Sequence, residues 1–571
     1  MKRFVITSSL VLGVTLAGVS GLFAGEASSG KKVTMEQEFR QFVKDFEARV
    51  APLEKASNLA NFDASISGKK EDYDKAADLE IKTSAVYADK ETFRKLEAWK
   101  KSNAVKDPLL KRQLDVLFLA FKARQLDLAD IEALIRQQKV IEEKFNTFRV
   151  EVGGRTMTDN AVESTLVDST DLPELRAVWE GSKKIGALVA ADVVKLAKLR
   201  NETARKLGFG NFHEMQLILG EQDPREIAAL FDELDALTRD TFTAVKKDLD
   251  ARLAVRLGID TAELMPWHYQ NRFFQEAPKV YAVDLDQYYK GKDVVDLNRR
   301  YFAGIGLPLD DILSRSDLYE KDGKYQHAYC TDIDRSGDVR IVCNVKDNFS
   351  WMGTMLHESG HAVYDKFIDP GLPWVLRTPA HTFTTEAVAM FFGRLAANPA
   401  WLQTMAGISP DERERIVGDC FKSLRLQQLV FSRWAQVMYR FEKALYENPD
   451  QDLDALWWAL VEKYQMIRKP AGRKAPDWAS KIHIATVPAY YHNYQLGELL
   501  ASQFLNHAAR KISKSNDLNS QAFVGDKALG RFFMDSVFKP GARYEWNEMI
   551  RRATGEKLSA RYFARQFVDA K

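Results

Sequence analysis

From residue 33 to residue 260, apolar residues recur at three- and four-residue spacing with charged residues between them. That period is the mark of helices that bury one stripe and expose the other. It predicts helices over 35–59, 90–101, 107–126, 128–148, 172–207 and 224–257. Asp168-Ser169-Thr170-Asp171 and Gln222-Asp223-Pro224 read as helix starts, with side-chain oxygens to cap the first amides and, in the second, proline in the first turn. Gly208 to Asn211 reads as a break between helices. Between 265 and 278 the texture changes to an aromatic segment bounded by Pro266 and Pro278. Alternating residues on either side of Ser336-Gly337 predict one β-hairpin over 329–343, and helical spacing resumes near Ser350 and runs to the end. No internal repeat or flexible linker interrupts the chain. The expected fold is mainly α: a two-lobed helical ellipsoid with a deep central cleft and a small β-hairpin.

Composition sharpens this picture in two places. Only 31 glycines and 17 prolines among 571 residues favour long helices over many-turned β architecture. With a formal net charge of only +2, nothing suggests a nucleic-acid-binding surface, and no nucleic-acid partner is expected. The first residues form an export signal: Lys2 and Arg3, then an uncharged stretch from Phe4 to Ala24 whose end is rich in small residues. Residues 1–24 are therefore expected to be a signal peptide, and 25–571 one helical domain of two lobes. The protein is expected to be secreted or periplasmic, with no stable membrane association; an uncleaved anchor is the minority reading, since the run is just long enough to span a bilayer. An exported chain can carry a disulfide. A two-residue turn at Ser336-Gly337 sets Cys330 opposite Cys343, which predicts a bridge between them; Cys420, in a helical stretch, is expected to be a buried thiol.

The chemistry concentrates in 350–390. His357-Glu358-Ser359-Gly360-His361 has the HExxH spacing, which on a helix turns both imidazoles to one face and so to one ion. Glu358 then stands beside the open coordination position as a general base, and the ion expected is a single Zn²⁺. A catalytic zinc needs a third protein ligand. No histidine stands six residues after His361, and Glu386 is the only acidic residue between Asp369 and Asp411, so Glu386 is the expected third ligand. Its apolar neighbours argue for burial, and a buried lone carboxylate needs a cation.

A second segment, 478–504, contains Lys481-Ile482-His483, Pro488 and Tyr490-Tyr491-His492-Asn493-Tyr494. With the HExxH helix and Glu386, this resembles the angiotensin-converting enzyme family of peptidyl dipeptidases, weakly from residue 35 and strongly only from Trp267 to Phe504. The resemblance implies that His483 and Tyr494 bind the oxyanion, and that Lys481, Tyr491 and Gln270 hold the C-terminal carboxylate of a short peptide substrate. Two positions stay open: Tyr490 competes with Tyr491, and Tyr269 with Gln270. Cys330 and Cys343 match the family's disulfide. The family's chloride-binding arginine is Asn493 here, so chloride activation is not carried over. Its acidic residue one turn after the third ligand is Met390, so another group must orient the ligand histidine. The reading is a zinc peptidase releasing C-terminal dipeptides. An endo-oligopeptidase of the thimet type or a metallocarboxypeptidase with the same zinc site is the alternative, and an inactive peptide-binding protein the remote one.

Overall fold

A computed structural model describes residues 33–281 and 283–569; the expected signal segment lies outside the described residues. The chain begins with helices Met35–Ser67, Lys70–Tyr87, Lys90–Ser102, Pro108–Lys122 and Leu128–Thr147, followed after a short hairpin by Asp159–Asp168, Leu172–Lys206, Phe212–Leu219 and Pro224–Leu257. The starts are those that the sequence advertises. Asp171 Oδ1 accepts the amide of Glu174 at 2.9 Å and Asp223 Oδ1 that of Arg225 at 2.7 Å, each ahead of a proline in the first turn. The first helix runs eight residues past its predicted end, continuing through Pro52, and 70–87 is a further helix that the apolar spacing does not signal; only Ala76 is buried in it.

The described residues contain two antiparallel hairpins where one was expected. Val150–Val152 pairs with Arg155–Met157 about Gly153-Gly154, strands too short to show an alternating pattern. Tyr329–Asp332 pairs with Val339–Val342, but in a register two residues from that predicted: Cys330 lies opposite Ile341, not Cys343. The turn is a six-residue loop, because Asp332 Oδ1 accepts the amides of Asp334 and Arg335 while Asp334 Oδ1 accepts those of Ser336 and Asp338. Cys343 lies beyond the ladder, its amide donating to Asp317 O at 2.9 Å. No disulfide joins the pair; diagonal neighbours on a sheet face are farther apart than a bridge spans. Cys420 is a buried thiol, as expected, in helix Pro410–Glu447.

Most buried apolar side chains form one continuous core. The N-terminal helices have a separate one: Phe39, Phe46, Val50, Leu96, Trp99, Leu114 and Phe121 pack together and meet the body at Trp374–Leu376 and Ala542. The same layer rests on the second hairpin through Arg335–Glu54 at 2.7 Å, Lys55–Asp334 at 3.0 Å, and the side chain of Asn58, which donates to the carbonyls of Asp332 and Ile333. Among the described residues no helix is long and apolar enough to cross a membrane.

Candidate metal centre

Helix Phe349–Lys366 starts at Asn348, whose side chain accepts the amide of Trp351 at 2.9 Å. One turn apart on it, His357 and His361 turn their rings to the same side, 4.9 Å between centroids. Helix Thr382–Gly393 packs directly against this one because residue 360 is glycine: a Cβ there would stand 2.7 Å from Ala389 Cα. That close approach delivers Glu386, whose Oε2 lies 3.7 Å from His357 Nε2 and 3.9 Å from His361 Nε2. One ligand atom from each of the three falls within 4.8 Å of the others. Ligand atoms on a tetrahedral zinc stand about 3.4 Å apart, so the Glu386 oxygen needs to close on each imidazole by only a few tenths of an ångström. Two imidazoles and a carboxylate are also the donor chemistry that Zn²⁺ accepts. The residues fit the ion.

The electrostatics agree. Burial holds the His357 imidazole down at about 4, and burial, then the neighbouring His357, hold His361 well below the usual imidazole range. Both are thus neutral at pH 7, as ligands must be. Burial, then the nearby Glu498 carboxylate, push Glu386 up to about 8. Burial, then Glu386, push Glu358 well above the usual carboxylate range, the backbone of Cys330 in the hairpin opposing them. Glu358 Oε2 is buried and makes no hydrogen bond. Carboxylates crowded into a dry site without a cation repel their own charge. Glu498 is itself paired with Arg394 and accepts from Gln428 Nε2 at 3.2 Å.

The group that orients His361 is Thr385, with Oγ1 2.7 Å from Nδ1. Met390 leaves that task open, and the hydroxyl one residue before Glu386 fills it. A proton on Nδ1 leaves the Nε2 lone pair facing Glu386.

Segment 478–504 reaches the same site. The 3₁₀ turn Asp477–Ser480 leads to Lys481, helix His483–Thr486 follows, and helix Tyr491–Lys511 packs on Thr382–Gly393. Tyr494 and Tyr490 both feel the Glu386 charge, and burial first, then that charge, raise both phenols. The Tyr491 ring touches that of Tyr494, and it also lies 5.6 Å from His483 and 5.5 Å from Lys481 Nζ. The structure therefore groups Tyr491, not Tyr490, with Lys481 and His483. Lys481 Nζ donates to Gln275 Oε1 at 2.5 Å. Gln270 is left-handed, at φ 56°, and its Oε1 accepts the amide of Lys279 at 2.8 Å. Tyr269 is also engaged elsewhere, with Asp250 and Lys246. Gln275, which the sequence reading did not name, is the glutamine that touches Lys481. Its segment bends twice through left-handed residues, Gln270 and Phe274, so linear distance from Trp267 misleads. Asn493, at the family's arginine position, accepts from Gln222 Nε2 at 2.7 Å.

Comparison with known proteins agrees with this geometry. A relative from Bacillus subtilis (strain 168), named Carboxypeptidase 1, is 24% identical over 258 residues, covering 41% of this chain and 50% of the relative. The chain thus spans about half the length of that curated relative. The Peptidase_M2 family, described as angiotensin-converting enzyme, matches residues 33–568. With nearly the whole sequence matched, and with the two histidines and the glutamate converging as they do, the chain belongs to the angiotensin-converting enzyme family.

Proposed function

We propose that this protein is a zinc metallopeptidase that removes dipeptides from the C-terminus of short peptides. The observation that carries the proposal is the convergence of His357, His361 and Glu386, with Glu358 on the same helix, within reach of a lysine–glutamine–tyrosine group suited to a carboxylate. Zinc in such a site lowers the pKa of a bound water and polarises a carbonyl.

The remaining work belongs to the chain's own side chains. Glu358 takes the proton of the attacking water and passes it to the departing amine. Tyr494 and His483 donate hydrogen bonds to the oxygen on which negative charge develops. Lys481, Gln275 and Tyr491 fix the terminal carboxylate, so the distance from anchor to zinc sets how many residues are released. One residue of extended chain covers about 3.5 Å. Residues 1–24 support export of the enzyme, and its substrates are then extracytoplasmic peptides.

The name of the Bacillus relative favours a second reading, release of single residues. Mass spectrometry of products from an N-blocked nonapeptide, as free acid and as amide, separates the two. Successive losses of two residues from the free acid alone are expected, and are expected to vanish in Lys481→Met. Losses of one residue would make the enzyme a carboxypeptidase. Internal cuts in both peptides would overturn the carboxylate anchor, and no cleavage by protein loaded with one zinc would overturn the peptidase reading itself.

A further inference from the structure

Beside the Lys481 group lies a second buried lysine that the proposed reaction does not use. Lys183 projects from helix Leu172–Lys206 and is only 4% exposed. Its Nζ stands 3.4 Å from the centroid of the Phe273 ring and 5.2 Å from that of Trp179. Lys481 Nζ lies 5.2 Å from the same Phe273 ring. Among the described residues Lys183 makes no hydrogen bond and no ion pair.

The charges around it are otherwise spoken for. The Asp477 carboxylate acts on Lys183, but it is clasped by Arg473 through two bonds of 2.6 Å and by Trp458 Nε1 at 3.2 Å. Arg272 is paired with Glu163 at 2.8 Å and Asp159 at 3.2 Å. Burial, with Arg272, Arg473 and Lys481 adding to it, presses the proton off Lys183, and Asp477 only partly opposes them. A buried ammonium with no counter-ion is costly, and an incoming carboxylate would remove that cost. The ring contacts attract the ammonium but do not replace a counter-ion.

We propose that Lys183 is a specificity residue: it pairs with an acidic side chain on the residue whose α-carboxylate Lys481 holds, so that peptides ending in an acidic residue are the preferred substrates. The inference rests on the carboxylate anchor of the proposed function. The geometry allows it. Their shared ring keeps the two ammonium nitrogens within about 9 Å of one another, a gap that glutamate's two carboxylates span with a hydrogen bond of about 2.8 Å at each end.

The test compares N-blocked peptides ending in Ala-Glu and Ala-Gln, each as free acid and as amide, with wild-type zinc enzyme, Lys183→Met and Lys183→Arg. Wild type should favour the glutamate free acid at least tenfold in kcat/KM. Lys183→Met should bring that ratio close to one, and Lys183→Arg should keep most of it. A wild-type ratio near one, or an unchanged ratio in Lys183→Met, overturns the proposal while leaving C-terminal cleavage intact. Equal internal cleavage of acids and amides overturns the anchor and this inference together. Should Lys183→Met not fold, calorimetry with zinc-loaded Glu358→Gln protein decides: Ala-Glu must bind at least tenfold more tightly than Ala-Gln, and equal binding overturns the proposal.

Discussion

The hydroxyl of Thr385 is a sensitive point in the metal centre, and Thr385→Val isolates it. Valine keeps the branched shape that the helix accommodates and deletes only the oxygen 2.7 Å from His361 Nδ1. The lost hydrogen bond is worth about 1 kcal/mol net, and an imidazole N–H left buried without an acceptor costs about 1–3 kcal/mol. Part of this is felt with and without metal, and lowers the stability of both forms. The part specific to metal binding arises because the imidazole is no longer held in the tautomer and rotation that present Nε2 to the ion. Loss of such an outer partner weakens metal binding about 10- to 100-fold. Competition against a fluorescent zinc chelator at pH 7.5 measures this directly, with circular dichroism confirming the fold. Thr385→Ser should retain near wild-type affinity. A zinc Kd for Thr385→Val within twofold of wild type would refute the argument that this hydroxyl orients the ligand.

Three further outcomes are expected. Glu358→Gln should lose about 10³-fold in kcat, yet still bind one zinc per chain by elemental analysis; an active variant would remove Glu358 from the chemistry. Gly360→Ala drives a methyl group to 2.7 Å from Ala389 Cα. It should cost about 1–3 kcal/mol in chemical denaturation and weaken zinc binding as well, because the same contact sets where Glu386 sits; an unchanged midpoint would show that the two helices separate freely. Burial, then Lys443, hold His213 down at about 3 in the folded chain, against about 6.5 unfolded. Between those values the unfolded chain binds the extra proton, so the contribution is complete above about pH 6.5 and is lost as pH falls towards 3. His213→Phe should therefore melt less acid-sensitively than wild type over that window, and parallel curves would refute the assignment.

The sequence revealed the elements whose cause is local. Asp223 and Pro224 announce the helix that follows them, and it spans Pro224–Leu257 as expected. The HExxH spacing puts two imidazoles on one side of a turn by the geometry of any α-helix, and Glu386 follows because it is the only acidic residue between Asp369 and Asp411. What escaped was decided by side chains that act at a distance or against expectation. Asp332 and Asp334 rebuild the hairpin turn through four backbone amides, and so shift the register that the turn residues alone suggest. Lys183 and Lys184 are adjacent lysines, yet only Lys184 is exposed. Gly186 on the same helix lets the Pro476 backbone approach so closely that a Cβ would stand 2.4 Å from its carbonyl oxygen. No periodicity reports such a contact.

The separate apolar nucleus of the N-terminal helices bears on how the molecule opens. A layer that completes its own packing is a cooperative unit, able to detach without disturbing the larger core. What resists detachment here is a seam in two main parts, the patch at Trp374–Leu376 and Ala542 and the hairpin, which Phe62 meets at Ile333 and Val342 beside the polar ties, with the Arg112–Glu221 ion pair outside both. Both halves of that seam flank the metal cluster in sequence, the hairpin just before the histidine helix and Trp374–Leu376 between it and the glutamate helix. In amide exchange the layer should therefore register as one block, with the hairpin tip as its hinge, while the helices that hold the ligands stay closed.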